Sequence, residues 1–295
     1  AVFEGFTTFE HLTPEQALSG VFRPFPAGTS WGAYGEYGWF RATVRVPESA
    51  RGERIVLRPE LGHESLIWVN GAAAGSRSWA GRETTLTRRA EGGETFEIMA
   101  EAYAGNGRQT EGGGPCPEGR LTVPPTPQEQ TQVRKSEFGI WDEEVYQLWL
   151  DVETLAGLAE SIRDSESLRV ARIDDALKEM TLVADLELPR AEMLETVRRA
   201  RALLKPLLEA RNGSTAPAMH GFGHGHLDVA WLWPLAETDR KTGRTFSSQL
   251  ALMDEYPEYK FLQSQAYLYQ RARRLYPALY ERVREAVRRG QWIAD

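Results

Sequence analysis

Hydrophobic residues recur at every second position in the first part of the chain and at every third or fourth position after it. That change of period limits what the chain can fold into. The segments Trp39–Val46, Arg54–Leu61, Ser65–Gly71 and Thr95–Tyr103 alternate apolar with other residues and are broken by Gly, Pro and Asn. A period of two sets one face of an extended strand on a core and the other in solvent. Asn70-Gly71 closes one such segment, and both residue types tolerate the positive φ that a two-residue hairpin turn demands. Many short strands with no helices between them predict a β-sandwich of jelly-roll type over residues 1–127.

From Thr131 to Arg211 the period lengthens. Leu155, Leu158, Ala159 and Ile162 share one helical face, and Met193, Val197, Ala200 and Leu204 share another. Residues 128–211 are therefore expected to form a helical linker region, although Ser161, Thr181 and Pro189 supply no clear caps. The charged runs Arg198–Lys205 and Glu281–Arg289 read as solvated helix faces.

A third texture fills 212–295, opening on the turn-rich Asn212–Pro217. Ala218–Asp228 reads as a short buried strand and a loop, and Glu237–Tyr256 as a helix ended by Pro257. Lys260–Gln265 reads as a strand, Leu268–Gly290 as helix broken at Pro277, and Gln291–Asp295 as the start of a third strand. Strands alternating with helices predict an α/β domain on a parallel sheet. Three strands make a very small sheet, and the third has only begun at Asp295, so this domain is expected to be truncated.

Composition narrows the partners. The net charge of -7 argues against nucleic acid and anionic membranes. No apolar run approaches the ~20 residues that span a bilayer. The opening AVFEGFTTFE lacks a basic segment followed by an apolar one, so no signal peptide is expected. The single cysteine, Cys116, sits in a Gly/Pro-rich stretch and reads as a surface thiol. With no internal disulfide available, the expected compartment is the cytoplasm.

The candidate chemistry gathers in the third region. His220, His224 and His226 fall within seven positions, and Asp228 follows. In extended backbone, His224, His226 and Asp228 would line one side at the C-terminal end of the first strand, where active sites of α/β sheets collect. Imidazole and carboxylate at this spacing suit Zn²⁺ or another borderline divalent ion. The alternative leaves one histidine as a ligand or packing residue while the others hydrogen-bond backbone. Trp231 and Trp233 follow directly. Their flat apolar faces suit the C–H patches of a sugar ring, or else pack in the core.

The run GHGHLDVAWLWPLAETDRK, Gly223–Lys241, closely resembles the opening signature of family 38 α-mannosidases, in the branch of bacterial and cytosolic enzymes. The likeness continues through Pro257–Tyr269 and Leu279–Ile293, and more loosely through WVNGAAAG and EAYAGNG in the sandwich. It implies a jelly-roll-like sandwich and helices ahead of a (β/α) barrel-type catalytic domain. It implies His226 and Asp228 as the first two zinc ligands and Trp231 as the aromatic that packs against mannose. His224 would orient the site without binding the metal. Sites of this kind also accept Co²⁺. The resemblance further implies a mannose-containing oligosaccharide as substrate, a homo-oligomer, and retaining chemistry on two carboxyls roughly 5–5.5 Å apart. The nucleophilic Asp and the remaining Asp and His ligands belong to later motifs, none of which occurs before Asp295, so these residues alone are expected not to turn over substrate.

Two rival readings remain. His224-Gly-His226 also fits a metal-dependent amidohydrolase, whose His-x-His ends the first barrel strand and whose metal activates water. The sandwich could instead be a non-catalytic carbohydrate-binding module, with Trp31, Trp39, Trp68 and Trp79 as stacking platforms. His63 and Trp68 could sit at a sugar-contacting edge, or simply pack.

Overall fold

Asn70 (φ 50°) and Gly71 (φ 79°) both take the left-handed backbone that the Asn-Gly pair predicts, and they turn one strand back on the next. They belong to a computed structural model that describes residues 1–62, 64–78, 81, 83–105, 131–211, 213, 215–231 and 233–295. His63, Trp79 and Cys116 lie outside the described residues. The chain divides into two units, residues 1–140 with 221–295, and residues 141–220.

The first unit begins with the sandwich. Its strands are β1 (Glu4–Thr8), β2 (Arg23–Pro24), β3 (Ser30–Trp31), β4 (Tyr37–Arg45), β5 (Ile55–Arg58), β6 (Glu64–Val69), β7 (Ala72–Arg77), β8 (Thr84–Thr87), β9 (Thr95–Tyr103), β10 (Thr131–Gln132) and β11 (Glu137–Ile140). The larger sheet runs β2-β1-β4-β9-β6-β7, and the smaller sheets are β11-β5-β8 and β10-β3. Every pairing in these sheets is antiparallel, as period-two strands joined by short turns require. β10 and β11 pair with β3 and β5, so the sandwich continues past residue 127.

The alternation has a local exception with a physical cause. From Phe40 onward β4 alternates buried and exposed, with Phe40, Ala42 and Val44 in the sandwich core. Tyr37 and Trp39, on the other face, are buried as well, because the outer face of the sheet is covered there. β6 behaves alike: Ile67 faces the core, whereas Leu66 and Trp68 join Trp39 in a cluster on the other face. Trp39 and Trp68 stack on one another at 5.8 Å, and Trp31 donates its indole N–H to the carbonyl of Leu61. Trp31, Trp39 and Trp68 are all buried, so the stacking-platform reading fails for them: packing between layers takes up their faces.

The cover is supplied by residues 221–295. Helix α1 (Pro14–Ala17) lies in the sandwich segment, and helices α2 (Glu143–Ile162), α3 (Ser167–Val183) and α4 (Arg190–Leu208) form the second unit. Returning to the first unit, the chain makes β12 (Gly223–His224), α5 (Leu235–Glu255), β13 (Phe261–Gln263), α6 (Ala266–Leu275), α7 (Pro277–Arg288) and β14 (Trp292–Ala294). The three strands pair in parallel in the order β12-β13-β14, as strand–helix–strand alternation predicts. Phe246, Leu250, Phe261, Leu268, Val283 and Trp292 build the core between this sheet and its helices. The Pro277 break falls where α6 gives way to α7.

The expected buried strand over Ala218–Asp228 shrinks to the two residues of β12. Met219 and Phe222 are exposed. Among the described residues β12 is an edge strand bonded on one side, and the glycines around it give no side chain to pack.

In the second unit, Leu148, Leu155, Ala159, Val170, Ile173, Val197, Ala200 and Leu204 close a core among three helices, at the spacing the sequence shows. No helix among the described residues is long and apolar enough to cross a membrane.

Candidate functional site

The loop from Gly225 to Pro234 leaves the C-terminal end of β12 and leads into α5. Three side chains fix it from below. Gln263 donates to the carbonyl of Gly225 at 3.0 Å, and Gln265 donates to that of Leu227 at 2.7 Å. Thr238, fully buried in the first turn of α5, accepts from the Ala230 N–H and from the Trp233 indole N–H, both at 3.1 Å. Its hydroxyl also reaches the Asp228 carbonyl at 3.4 Å. Ala230 holds φ 57°, a conformation that costs an L residue about 1–2 kcal/mol, so the Thr238 contacts offset local strain.

On this frame His226 and Asp228 converge. His226 Nε2 lies 3.2 Å from Asp228 Oδ1, with the imidazole 77% exposed and the carboxylate 38% exposed. Leu227 between them turns the other way and packs against the α/β core. His224 is exposed at the end of β12 and is not brought to the pair, and His220 falls in the second unit. Trp231 keeps half its surface in solvent and meets Trp233 edge-on at 5.9 Å. Trp233 is tied down by Thr238 and by the Lys241 ammonium 4.6 Å above its ring.

His226 and Asp228 carry donors of the kind a divalent ion takes. Two donors that share a tetrahedral zinc at about 2.1 Å each stand about 3.4 Å apart. The His226–Asp228 separation of 3.2 Å fits, as does the pairing of imidazole with carboxylate. They supply two of the usual four ligands, and no group of three or more His, Cys, Asp or Glu is gathered among the described residues.

Sequence reasoning missed the charged network beneath this loop. The first three turns of α5 carry Glu237, Thr238, Asp239, Arg240, Thr242 and Arg244, all buried. Glu237 accepts from the Tyr37 hydroxyl at 2.9 Å and pairs with Arg244. Arg244 reaches Glu64 at 3.0 Å, Lys241 reaches the same carboxylate at 2.9 Å, and Arg240 pairs with Glu101 at 2.7 Å. Burial, and then the Glu237 charge, push the Tyr37 hydroxyl far up, so it stays a proton donor. Burial also lifts the Glu101 carboxyl, against the pull of Arg240. Gly243 makes the close approach feasible, since a Cβ there would meet the Tyr276 ring at 2.8 Å and the Leu66 side chain at 3.1 Å.

The sandwich and the loop each match a known family. Residues 2–138 match the jelly roll domain of α-mannosidases, and residues 216–295 match the N-terminal domain of glycosyl hydrolases family 38. The fold and loop thus define a glycoside hydrolase jelly roll joined to family 38 α/β structure. Along nearly its whole length the chain is similar to curated α-mannosidases. It is 30% identical to alpha-mannosidase 2C1 of Homo sapiens over 99% of this chain and 27% of that protein. It is 28% identical to alpha-mannosidase G of Dictyostelium discoideum over 96% of this chain and 26% of that one. In both matched regions the chain resembles family 38 α-mannosidases, and it spans about a quarter of the length of these relatives. Among solved structures, a β-glucuronidase of Ruminococcus gnavus aligns with 48% of the chain and 28% of its own, at 12% identity and a TM-score of 0.32.

Proposed function

We propose that this chain serves a retaining, zinc-dependent α-mannosidase that removes terminal α-linked mannose from oligosaccharides or mannosides. The observation that carries the proposal is the convergence of His226 and Asp228, on the same loop as the half-exposed Trp231. His226 and Asp228 would hold the ion, and a bound zinc supplies Lewis acidity toward sugar oxygens. Trp231 offers its exposed face to the apolar side of the sugar ring. Thr238, Gln263 and Gln265 hold the loop so that these side chains keep their places. His224 stands outside the pair and is assigned an orienting role at most, which favours the mannosidase over an amidohydrolase with two histidine ligands. With two donors and no cleaving carboxylate pair assigned among them, these residues bind substrate and metal and do not by themselves turn over substrate. Cytoplasmic placement rests on the single cysteine.

The test is hydrolysis of an aryl α-mannoside by the whole protein before and after chelation, with zinc or cobalt added back. Activity is expected to vanish on chelation and return with metal, and D228A is expected to abolish metal binding measured by calorimetry. Hydrolysis that survives both chelation and D228A refutes the metal role of this loop.

A further inference from the structure

Two glutamines at the end of β13 reach the metal loop, and the structure uses them differently. In the parallel ladder Gly223 stands opposite Phe261 and His224 opposite Leu262. Past the end of the ladder the side chains of Gln263 and Gln265 keep the same offset of 38 residues, donating to the carbonyls of Gly225 and Leu227. They stand in for ladder bonds that β12 no longer makes.

Gln263 is fully buried and spends both ends of its amide, Nε2 on the Gly225 carbonyl and Oε1 on the Gln265 N–H at 3.3 Å. Gln265 is half-buried and spends only one end, with Nε2 donating to the Leu227 carbonyl at 2.7 Å. A carbonyl only accepts, so this bond fixes which end of the amide meets the loop and turns Oε1 away from that carbonyl. Oε1 accepts nothing from the described residues, and it is not one of the enclosed atoms that lack a partner, so it is open to a ligand.

Helix capping does not account for this residue. Gln265 holds the N-cap position of α6, yet its side chain makes no capping bond, and Gln is not among the residue types that cap well. The side chain reaches instead to Leu227, the one residue between His226 and Asp228. An accessible acceptor is thus held in one orientation at the C-terminal ends of parallel strands, where ligands of α/β sheets bind. The amide carries no charge with which to select an ion, so the donor that suits it is a hydroxyl.

We propose that Gln265 is a substrate-recognition residue. Its amide nitrogen fixes the metal loop, and its amide oxygen accepts a hydrogen bond from one ring hydroxyl of the sugar held at His226 and Asp228. This rests on the reading of that loop as a mannoside site and adds the group that reads a hydroxyl there. Gln263, with both ends satisfied inside the protein, only holds the loop.

The test is the kcat/KM of the whole protein for an aryl α-mannoside and for analogues that each lack one ring hydroxyl, with Gln265→Met and Gln263→Met compared. Loss of one neutral hydrogen bond is worth about tenfold. One analogue is expected to fall by about that factor in the unaltered protein. Q265M is expected to fall about tenfold on the parent mannoside and no further on that one analogue, because the bond is already absent. Gln265→Glu keeps an acceptor oxygen and is expected to keep the discrimination against that analogue. Q263M is expected to lower the parent and every analogue by one common factor. Gln265→Ala serves if Q265M misfolds by circular dichroism. If Q265M lowers the parent and every analogue by the same factor, Gln265 holds the loop and reads nothing, so the proposal falls while the mannoside reading stands. If the unaltered protein leaves the aryl mannoside intact, the mannoside reading itself falls and the proposal falls with it.

Discussion

Replacing Glu237 with Gln tests how much the buried charged network at the start of α5 contributes to the fold. The substitution keeps the volume and leaves an amide oxygen for the Tyr37 hydroxyl, but removes the charge that faces Arg244. Glu237 is 0% exposed and Arg244 5% exposed, so solvent cannot replace the lost carboxylate. Breaking one partner of such a pair costs about 3–5 kcal/mol. Glu64 still accepts from Arg244 at 3.0 Å, which points to the low end, about 3 kcal/mol. For a unit of this size that lowers Tm by about 6–12 °C. The internal control is Arg41→Ala, which removes a pair to Glu4 exposed by 49% and 47%. That loss is expected to stay under about 1 kcal/mol. Urea unfolding followed by tryptophan fluorescence, with calorimetric scans alongside, gives both values. If E237Q and R41A destabilise equally, the network is hydrated and does no more than a surface ion pair.

Thr238→Val removes the two hydrogen bonds that the hydroxyl accepts from the loop, and its longer contact to the Asp228 carbonyl, at nearly constant volume. At about 1 kcal/mol each the affinity for Co²⁺ is expected to fall about 10–30-fold, with rescue by Thr238→Ser, as read by calorimetric titration. Trp231→Ala is expected to leave stability within about 0.5 kcal/mol, since half the side chain is exposed, yet to raise KM for an aryl mannoside about tenfold in the whole protein. The Glu64 carboxyl feels burial, which raises it, and Arg244 and Lys241, which outweigh burial and hold it below the usual value. A depressed carboxylate stabilises the fold above its unfolded pKa and loses that contribution as pH falls through the lowered value. Glu64→Gln should therefore flatten the fall in urea midpoint in that acid range, and an unchanged slope there contradicts the assignment.

Apolar periodicity made much of this fold legible. The β4, β6 and β9 segments, the faces of α2 and α4, the Asn70-Gly71 turn and the Pro277 break all depend on neighbours a few positions away. The His226–Asp228 convergence follows from i, i+2 spacing and was legible for the same reason. His224 obeys the same spacing but is not gathered with them, because β12 ends at His224 and the backbone beyond it is set by Thr238, Gln263 and Gln265. The sandwich tryptophans were ambiguous for a related reason: whether an alternating strand has a wet outer face depends on what lies over it.

The least legible part is the start of α5, and its misreading has a definite cause. Charged helical residues are ordinarily solvated, and Glu237, Arg240 and Arg244 look no different in sequence from the runs of α4 or α7. Their partners Tyr37, Glu64 and Glu101 come from strands more than a hundred residues earlier, so no local window can reveal them. A hydrophobic face at this junction would have bound at least as tightly, since buried ion pairs are no stronger than well-packed apolar contacts. The charges add directionality. Glu64 and Glu101 on the sandwich take Arg244 and Arg240 of α5, which favours one register of the helix on the sheet. Thr238, inside that turn, passes the register to Asp228 and Trp233. On this account the jelly roll acts as the foundation of the metal loop, and E237Q should weaken Co²⁺ binding although Glu237 never approaches the ion. Loss of stability in E237Q with metal affinity unchanged would confine the network to holding the layers together.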